Sequence, residues 1–355
     1  MKQKMFILVL VLISIVTGSL FVARRIGKIS TLSVPSSILK ETIRFREITI
    51  PSLRARTYKS ALGPLEKLSE TSTYTSYLTS YTSEGLKING LLTIPKGESL
   101  IHSTSSGQEG SGQWPAIVFV HGYVPPKQYE TTSKYVEYVD YLARNGFVVF
   151  KIDLRGHGNS EGQAGGGYYG ADYVIDTLNA RAALESADFV DASKIGLWGH
   201  SMAGNTLMRA FAARPQIPAV VIWAGAGYTY TDLQTYRISD VSYRSVISEA
   251  SRSGNRREIF AVHGQFSSES LFWKEVVATN YLSDLKGAIE IHHAVDDSVV
   301  SIEYSRNLMK LLDVTSVPHQ LYEYSNGGHN ISGTSFSPAM SRTVEFFKKK
   351  LMENK

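Results

Sequence analysis

The sequence predicts an α/β protein with a mainly parallel central sheet, helices on both faces and an inserted cap. Three observations predict it. Short, almost wholly apolar runs recur, as at Ala116–Val120 (AIVFV), Phe147–Ile152 (FVVFKI) and Ala219–Trp223 (AVVIW), and such runs suit strands buried on both faces. Segments of helical period separate them, so strand and helix alternate from residue 116 onward. The 355 residues are 43% hydrophobic, enough for one large core with a short appendage.

The appendage comes first. Met5–Ala23 (MFILVLVLISIVTGSLFVA) carries no charge, and about 20 apolar residues cross a bilayer as a helix. Residues 1–28 are therefore expected to be a membrane anchor. Val16-Thr17-Gly18 admits the alternative of a cleaved signal peptide and secretion. The anchor reading puts the folded body outside the cytoplasm. Residues 29–75 read as a stalk or extension without a sharp pattern. The folded body runs from 76 to 355.

Charge and cysteine content exclude other classes. The chain has 37 basic and 32 acidic residues, for a net charge of +5. Lys2, Lys4, Arg24, Arg25 and Lys28 lie in the first 28 residues, which hold no acid, so the rest is balanced. No basic face for nucleic acid is implied. There is no cysteine, hence no disulfide, thiolate ligand or cysteine nucleophile.

In the body, Tyr77–Thr82 and Lys87–Ile94 read as antiparallel edge strands joined at Ser83-Glu84-Gly85, and residues 97–114 as an exposed loop. A helix lies between Thr131 and Asn145, with Gly146 as its C-terminal cap. After the strand Phe147–Ile152, the pattern gives helix Ala171–Ser186, strand Lys194–Trp198, helix Ala203–Ala213 and strand Ala219–Trp223. Gly225–Lys286 is too long for a simple crossover and is assigned a cap insertion at about 226–286. Strand Ile289–His293, helix Ile302–Leu312, strand His319–Tyr324 and helix Pro338–Leu351 complete the chain.

Two serines compete as nucleophile. Gly158-Asn159-Ser160-Glu161-Gly162 matches G-x-S-x-G literally, but its glycine-rich sequel, QAGGGYYG, cannot start a helix. Ser201, in Gly199-His200-Ser201-Met202-Ala203, stands between a strand and a good helix. A strand–turn–helix elbow lifts the hydroxyl clear of the sheet, and small residues two before and two after let the backbones approach. Ser201 is the assignment. A serine needs a base. His329, after Gly327-Gly328 and the strand 319–324, is assigned as that base. Asp296, just beyond the strand 289–293, is assigned to orient it, with Asp297 as the neighbouring alternative. The oxyanion would be held by backbone N–H groups of Met202 and of Tyr123, the latter in the loop His121-Gly122-Tyr123. No metal or organic cofactor is needed. Gly165-Gly166-Gly167 lacks the Lys-Ser/Thr of a phosphate loop, and Asn330-Ile331-Ser332 is a coincidental glycosylation sequon.

Together, HGY (121–123), DLRGHGNSEG (153–162), GHSMAG (199–204), HHAVDDSVV (292–300) and GGH (327–329) resemble the α/β-hydrolase superfamily in content and order. The chain is most similar to the catalytic domain of the prolyl oligopeptidase and serine aminopeptidase families, with SEGLKINGLLTIPKG (83–97) like that domain's opening hairpin. The resemblance implies the α/β-hydrolase fold, and a structural rather than catalytic role for Asp153 and Arg155. Ala203 stands where glycine is usual, His293 where glycine is frequent, and Val300 where proline is frequent. The expected activity is peptidase-like hydrolysis of an ester or peptide bond through an acyl-enzyme. The rivals are a carboxylesterase or acyl-lipid hydrolase and a catalytically inactive binding protein on the same scaffold. The partners implied are a small-molecule ester or peptide substrate and the membrane.

Overall fold

The computed structural model describes residues 44–97, 113–165, 167–236, 238–239 and 249–353. The apolar segment Met5–Ala23 and most of the predicted 97–114 loop lie outside these residues. Among the described residues no helix is long and apolar enough to cross a membrane.

Among the described residues, nine strands form one sheet in the order β1-β2-β3-β5-β4-β6-β7-β8-β9. They are β1 Glu66–Glu70, β2 Tyr74–Ser83, β3 Leu86–Pro95, β4 Trp114–Val120, β5 Val148–Ile152, β6 Val190–His200, β7 Ala219–Trp223, β8 Ala288–Ala294 and β9 His319–Tyr324. Strands β1, β2, β3 and β5 pair antiparallel, and β5 through β9 pair parallel. The antiparallel edge thus has three leading strands where the sequence predicts two. The third, β1, is exposed along its whole length and carries no apolar alternation to announce it. At the seam between hairpin and parallel sheet, Gly90 faces Ile152. A Cβ there would come within 2.6 Å of the Lys151 carbonyl and 2.7 Å of the Phe150 ring, so no side chain fits.

All seven residues of β4 are buried, and they alternate between two cores. Val118 and Val120 pack with α3 (Asp172–Glu185), α4 (Ala203–Ala213) and α8 (Glu303–Leu312). Ile117 and Phe119 pack on the opposite face with α2 (Val136–Arg144) and α9 (Phe336–Leu351). Burying each such side chain stabilises the fold by ~1.5–3 kcal/mol, which is why a central strand reads as continuous apolar sequence. Ahead of the sheet, α1 (Ile50–Ala55) is capped by the Thr49 hydroxyl, which accepts from the Ser52 N–H.

The segment between β7 and β8 carries the predicted insertion, whose described residues include the helices α5 Tyr230–Thr235, α6 Glu249–His263 and α7 Leu271–Val276. The chain then returns to the sheet through a short 3₁₀ stretch, Ala278–Asp284.

Candidate active site

The C-terminal ends of β4, β6, β8 and the loop after β9 converge on one cavity of about 700 Å³, lined by Tyr123, Tyr135, His200, Ser201, Val299 and His329 among others. Ser201 is the pivot between β6 and α4. Its φ is 57°, in the left-handed region, a strain of roughly 1–2 kcal/mol for a residue with a Cβ. The surrounding backbone holds it there. Ser201 N–H donates to the Trp223 carbonyl (2.9 Å), and its own carbonyl accepts from Gly204 (2.9 Å) and Ala226 (3.1 Å). The predicted crowding is real. A Cβ on Gly199 would sit 2.8 Å from the Ala203 methyl and 2.9 Å from Leu207.

His329 Nε2 lies 2.9 Å from Ser201 Oγ, and its Nδ1 lies 2.8 Å from Asp297 Oδ2. A carboxylate only accepts, so Nδ1 carries the proton and Nε2 accepts from the serine hydroxyl. The carboxylate paired with His329 is therefore Asp297, and the assignment of Asp296 to that place is corrected. Asp296 is exposed and accepts instead from the backbone N–H groups of Gly328 (2.8 Å) and Gly327 (3.3 Å). The reason is a turn at the end of β8. Asp297 N–H bonds back to the Ala294 carbonyl (3.2 Å), which directs residue 296 outward and residue 297 inward. Residue 296 thereby supports the loop that bears His329, one step from where it was assigned.

The Asp297 side chain is fully buried and satisfied at both oxygens. Oδ1 accepts from Val299 N–H (2.8 Å) and Val300 N–H (2.9 Å), and Oδ2 accepts from His329 and from His293 Nε2 (3.2 Å). Burial alone would raise its pKa; the hydrogen bonds from His293 and His329 outweigh burial and hold the carboxyl well below its usual range. His293 Nε2 also faces the Val300 carbonyl (3.0 Å), while Nδ1 accepts from the Ser305 hydroxyl (2.7 Å). His293 is thus a buried donor to the carboxylate that the sequence marked only as a departure from the family pattern.

A second chain of hydrogen bonds joins the two loops. Gly122 N–H donates to the Tyr135 hydroxyl (3.0 Å), which lies 2.9 Å from His200 Nδ1; His200 Nε2 lies 2.8 Å from the His329 carbonyl. A carbonyl must accept, so His200 carries its proton on Nε2 and takes one bond from Tyr135 at Nδ1. Burial, helped by the neighbouring His329, pushes the His200 pKa down to about 3, so the ring is neutral. Tyr135 itself has a φ of 60°. Neither residue was singled out for this role by sequence; the glycine at 122 was the one available signal, because a Cβ there would lie 2.9 Å from the Tyr135 hydroxyl.

Of the two residues assigned to the oxyanion, Tyr123 lines the cavity that holds Ser201 and His329. Met202 follows Ser201 as N-cap of α4, where helix N–H groups lack intrahelical acceptors. The rival Ser160 is placed elsewhere, its hydroxyl oxygen accepting from Asn89 N–H (2.9 Å) beside β3. Arg155 is buried in an ion pair with Asp176 (2.7 Å) and Glu84 (3.0 Å), and Asp153 accepts from Tyr129 (3.0 Å).

A family model described as serine aminopeptidase, S33, matches residues 114–245, from β4 through Ser201 into the insertion. Among solved structures, an acetyl xylan esterase from Paenibacillus sp. R4 superposes with a TM-score of 0.59 at 17% identity, covering 88% of this chain and 95% of that one. The acylaminoacyl peptidase of Pyrococcus horikoshii gives 0.58 at 20% identity, covering 80% of this chain and 43% of the peptidase. The dipeptidyl peptidase 4 of Porphyromonas gingivalis gives 0.56 at 18% identity, covering 79% of this chain and 36% of that one. The fold is that of the α/β-hydrolases.

Proposed function

We propose that this chain, a member of the α/β-hydrolase superfamily, is a serine hydrolase that cleaves an ester or peptide bond through an acyl-enzyme. One observation carries the reading: the continuous hydrogen-bonded chain from Ser201 through His329 to Asp297. As Ser201 Oγ attacks the scissile carbonyl, its proton passes to His329 Nε2 and the carbonyl π electrons move to oxygen. Met202 and Tyr123 N–H groups receive the oxyanion. On collapse the leaving group takes the proton from Nε2. Water then attacks the acyl-Ser201 ester, gives its proton to Nε2, and the serine leaves with it. Asp297 keeps the imidazole in the required tautomer and stabilises its positive form.

The family model supports a peptidase. Carboxylic ester hydrolysis has its own support, since the acetyl xylan esterase is covered over 95% of its length, whereas the peptidases extend well beyond the shared part. A fluorophosphonate probe tests the common reading. It is expected to label the native protein and not Ser201→Ala, with folding unchanged by circular dichroism. Equal labelling of both, or of neither, overturns it, and the latter outcome fits a binding protein on this scaffold. Parallel rates on aryl esters and aminoacyl amides divide esterase from peptidase.

The apolar, uncharged Met5–Ala23 supports attachment to a membrane, with the hydrolytic body on the extracytoplasmic side. Alkaline washing of membranes is expected to leave the protein in the pellet; release into the supernatant would sink this.

A further inference from the structure

Beside the triad lies a second cavity, of about 750 Å³, whose lining includes Met202, Tyr168, Tyr169, Ile238, Phe260 and Arg256. Adjacent residues of the elbow face the two cavities: Ser201 lines the first and Met202 the second. A short β-bridge separates them elsewhere. Ile238 pairs antiparallel with Val300, and Ser239 N–H donates to the Val299 carbonyl (2.9 Å). Val299 lines the first cavity and Ile238 the second.

The halves of a substrate can be allotted to these spaces by chemistry. His329 must hand its proton to the leaving atom, and His329 lines only the first of the two. The leaving group therefore occupies the first cavity, and the acyl portion continues past Met202 into the second. The second is walled by rings, with Tyr169 packed edge-on to Phe260 (5.9 Å) and tilted on Tyr230 (5.4 Å). Its loop is fixed, because the Tyr230 hydroxyl donates to the Tyr168 carbonyl (2.7 Å). Among the described lining residues Arg256 and Arg257 are cationic and no aspartate or glutamate is present, whereas the first cavity balances Lys134 with Glu137. The Arg256 guanidinium lies over the Phe260 ring, 5.2 Å from its centre, at the end of the aromatic wall.

Building on the hydrolase reading, we infer that the acyl group this enzyme accepts has an apolar stem and ends in a carboxylate, the stem lying along Tyr169 and Phe260 and the carboxylate on Arg256. A guanidinium meets a carboxylate in two parallel hydrogen bonds, which gives both affinity and direction.

The test compares aryl esters that share one leaving group and differ only in whether an acyl chain of matched length ends in a carboxylate or a methyl group, over a ladder of chain lengths. The purified full chain is expected to prefer the carboxylate form in kcat/KM by about tenfold at its best length, the preference shrinking as salt is raised. Arg256→Gln is expected to abolish the preference, Arg256→Lys to keep part of it, and Arg256→Glu to reverse it. A native enzyme that prefers the methyl series, or a preference untouched by Arg256→Gln, overturns the inference while Ser201 labelling and ester turnover leave the hydrolase reading intact. Absence of both labelling and turnover instead removes the reading on which the inference rests.

Discussion

Asp297 and Asp296 are adjacent in sequence and opposite in consequence. Asp297→Asn would present an amide N–H to a ring nitrogen that must itself donate, forcing the wrong tautomer on His329. A fall in kcat of about 10⁴ is expected. Asp296→Asn keeps an acceptor for the backbone of Gly328, and a loss of about fivefold, corresponding to ~1 kcal/mol, is expected. Steady-state kinetics on one ester decide between them, and equal losses would contradict the geometry. Tyr135→Phe tests the second hydrogen-bonded chain. It strips the Gly122 N–H of its acceptor and His200 of its donor, next to the loop that offers Tyr123 to the oxyanion. An unpaired buried N–H costs about 1–3 kcal/mol. The expected result is a fall of about tenfold or more in kcat with KM little moved, because the oxyanion exists only past the ground state.

At the scale of elements, the elbow is held by contacts between backbones, which cannot yield as side chains do. A Cβ on Gly204 would lie 2.9 Å from Gly225 Cα and 3.0 Å from Ala226 N. Gly204→Ala must push α4 away from the end of β7, at about 1–3 kcal/mol of stability. A lower Tm by calorimetry is expected, together with a loss of activity, since Ser201 and Met202 move with the helix start. Elements such as α4 and β7 were legible to the residue because an apolar run or a helical segment begins and ends where burial does. The start of β6, Val190 to Ser193, was not: Asp191 and Ser193 break the apolar run, and the strand extends there because Val190 pairs with Trp114. Nor was α1, too short for a period, although Thr49 and Pro51 were signs of a helix start. In the site, Ser201 and His329 were legible because strand, small residues and glycine mark them locally. The choice between two aspartates was not. It turns on one hydrogen bond, Asp297 N–H to Ala294, and on partners 4 and 32 residues away.

For the whole molecule, buried titratable groups set the response to acid. Burial, with His157 nearby, pushes His121 down to about 3, and burial with His329 does the same for His200, from an ordinary value of 6.5. Asp153 moves the other way, raised by burial from 3.8 to about 6. As pH falls from about 6 to 4, the unfolded chain takes up two protons at these histidines that the native state refuses, and the native state takes up one at Asp153 that the unfolded chain refuses. Burial shifts His292 down as well, so more protons favour unfolding than favour the native state, and stability is expected to fall on acidification through this window. Urea midpoints across this window measure it, and a flat profile would refute it. The sheet has two outer rims, and both are charged. At β1 the Glu70 carboxylate pairs with Lys67 and Lys96, with Glu66 alongside. At β9 Glu323 takes both arms of Arg306 (2.9 and 2.7 Å). A second copy that tried to extend the ladder from either side would have to strip water from these ions, so crowded solutions of this protein should resist fibril growth, a protection that swapping the rim charges for threonines would remove.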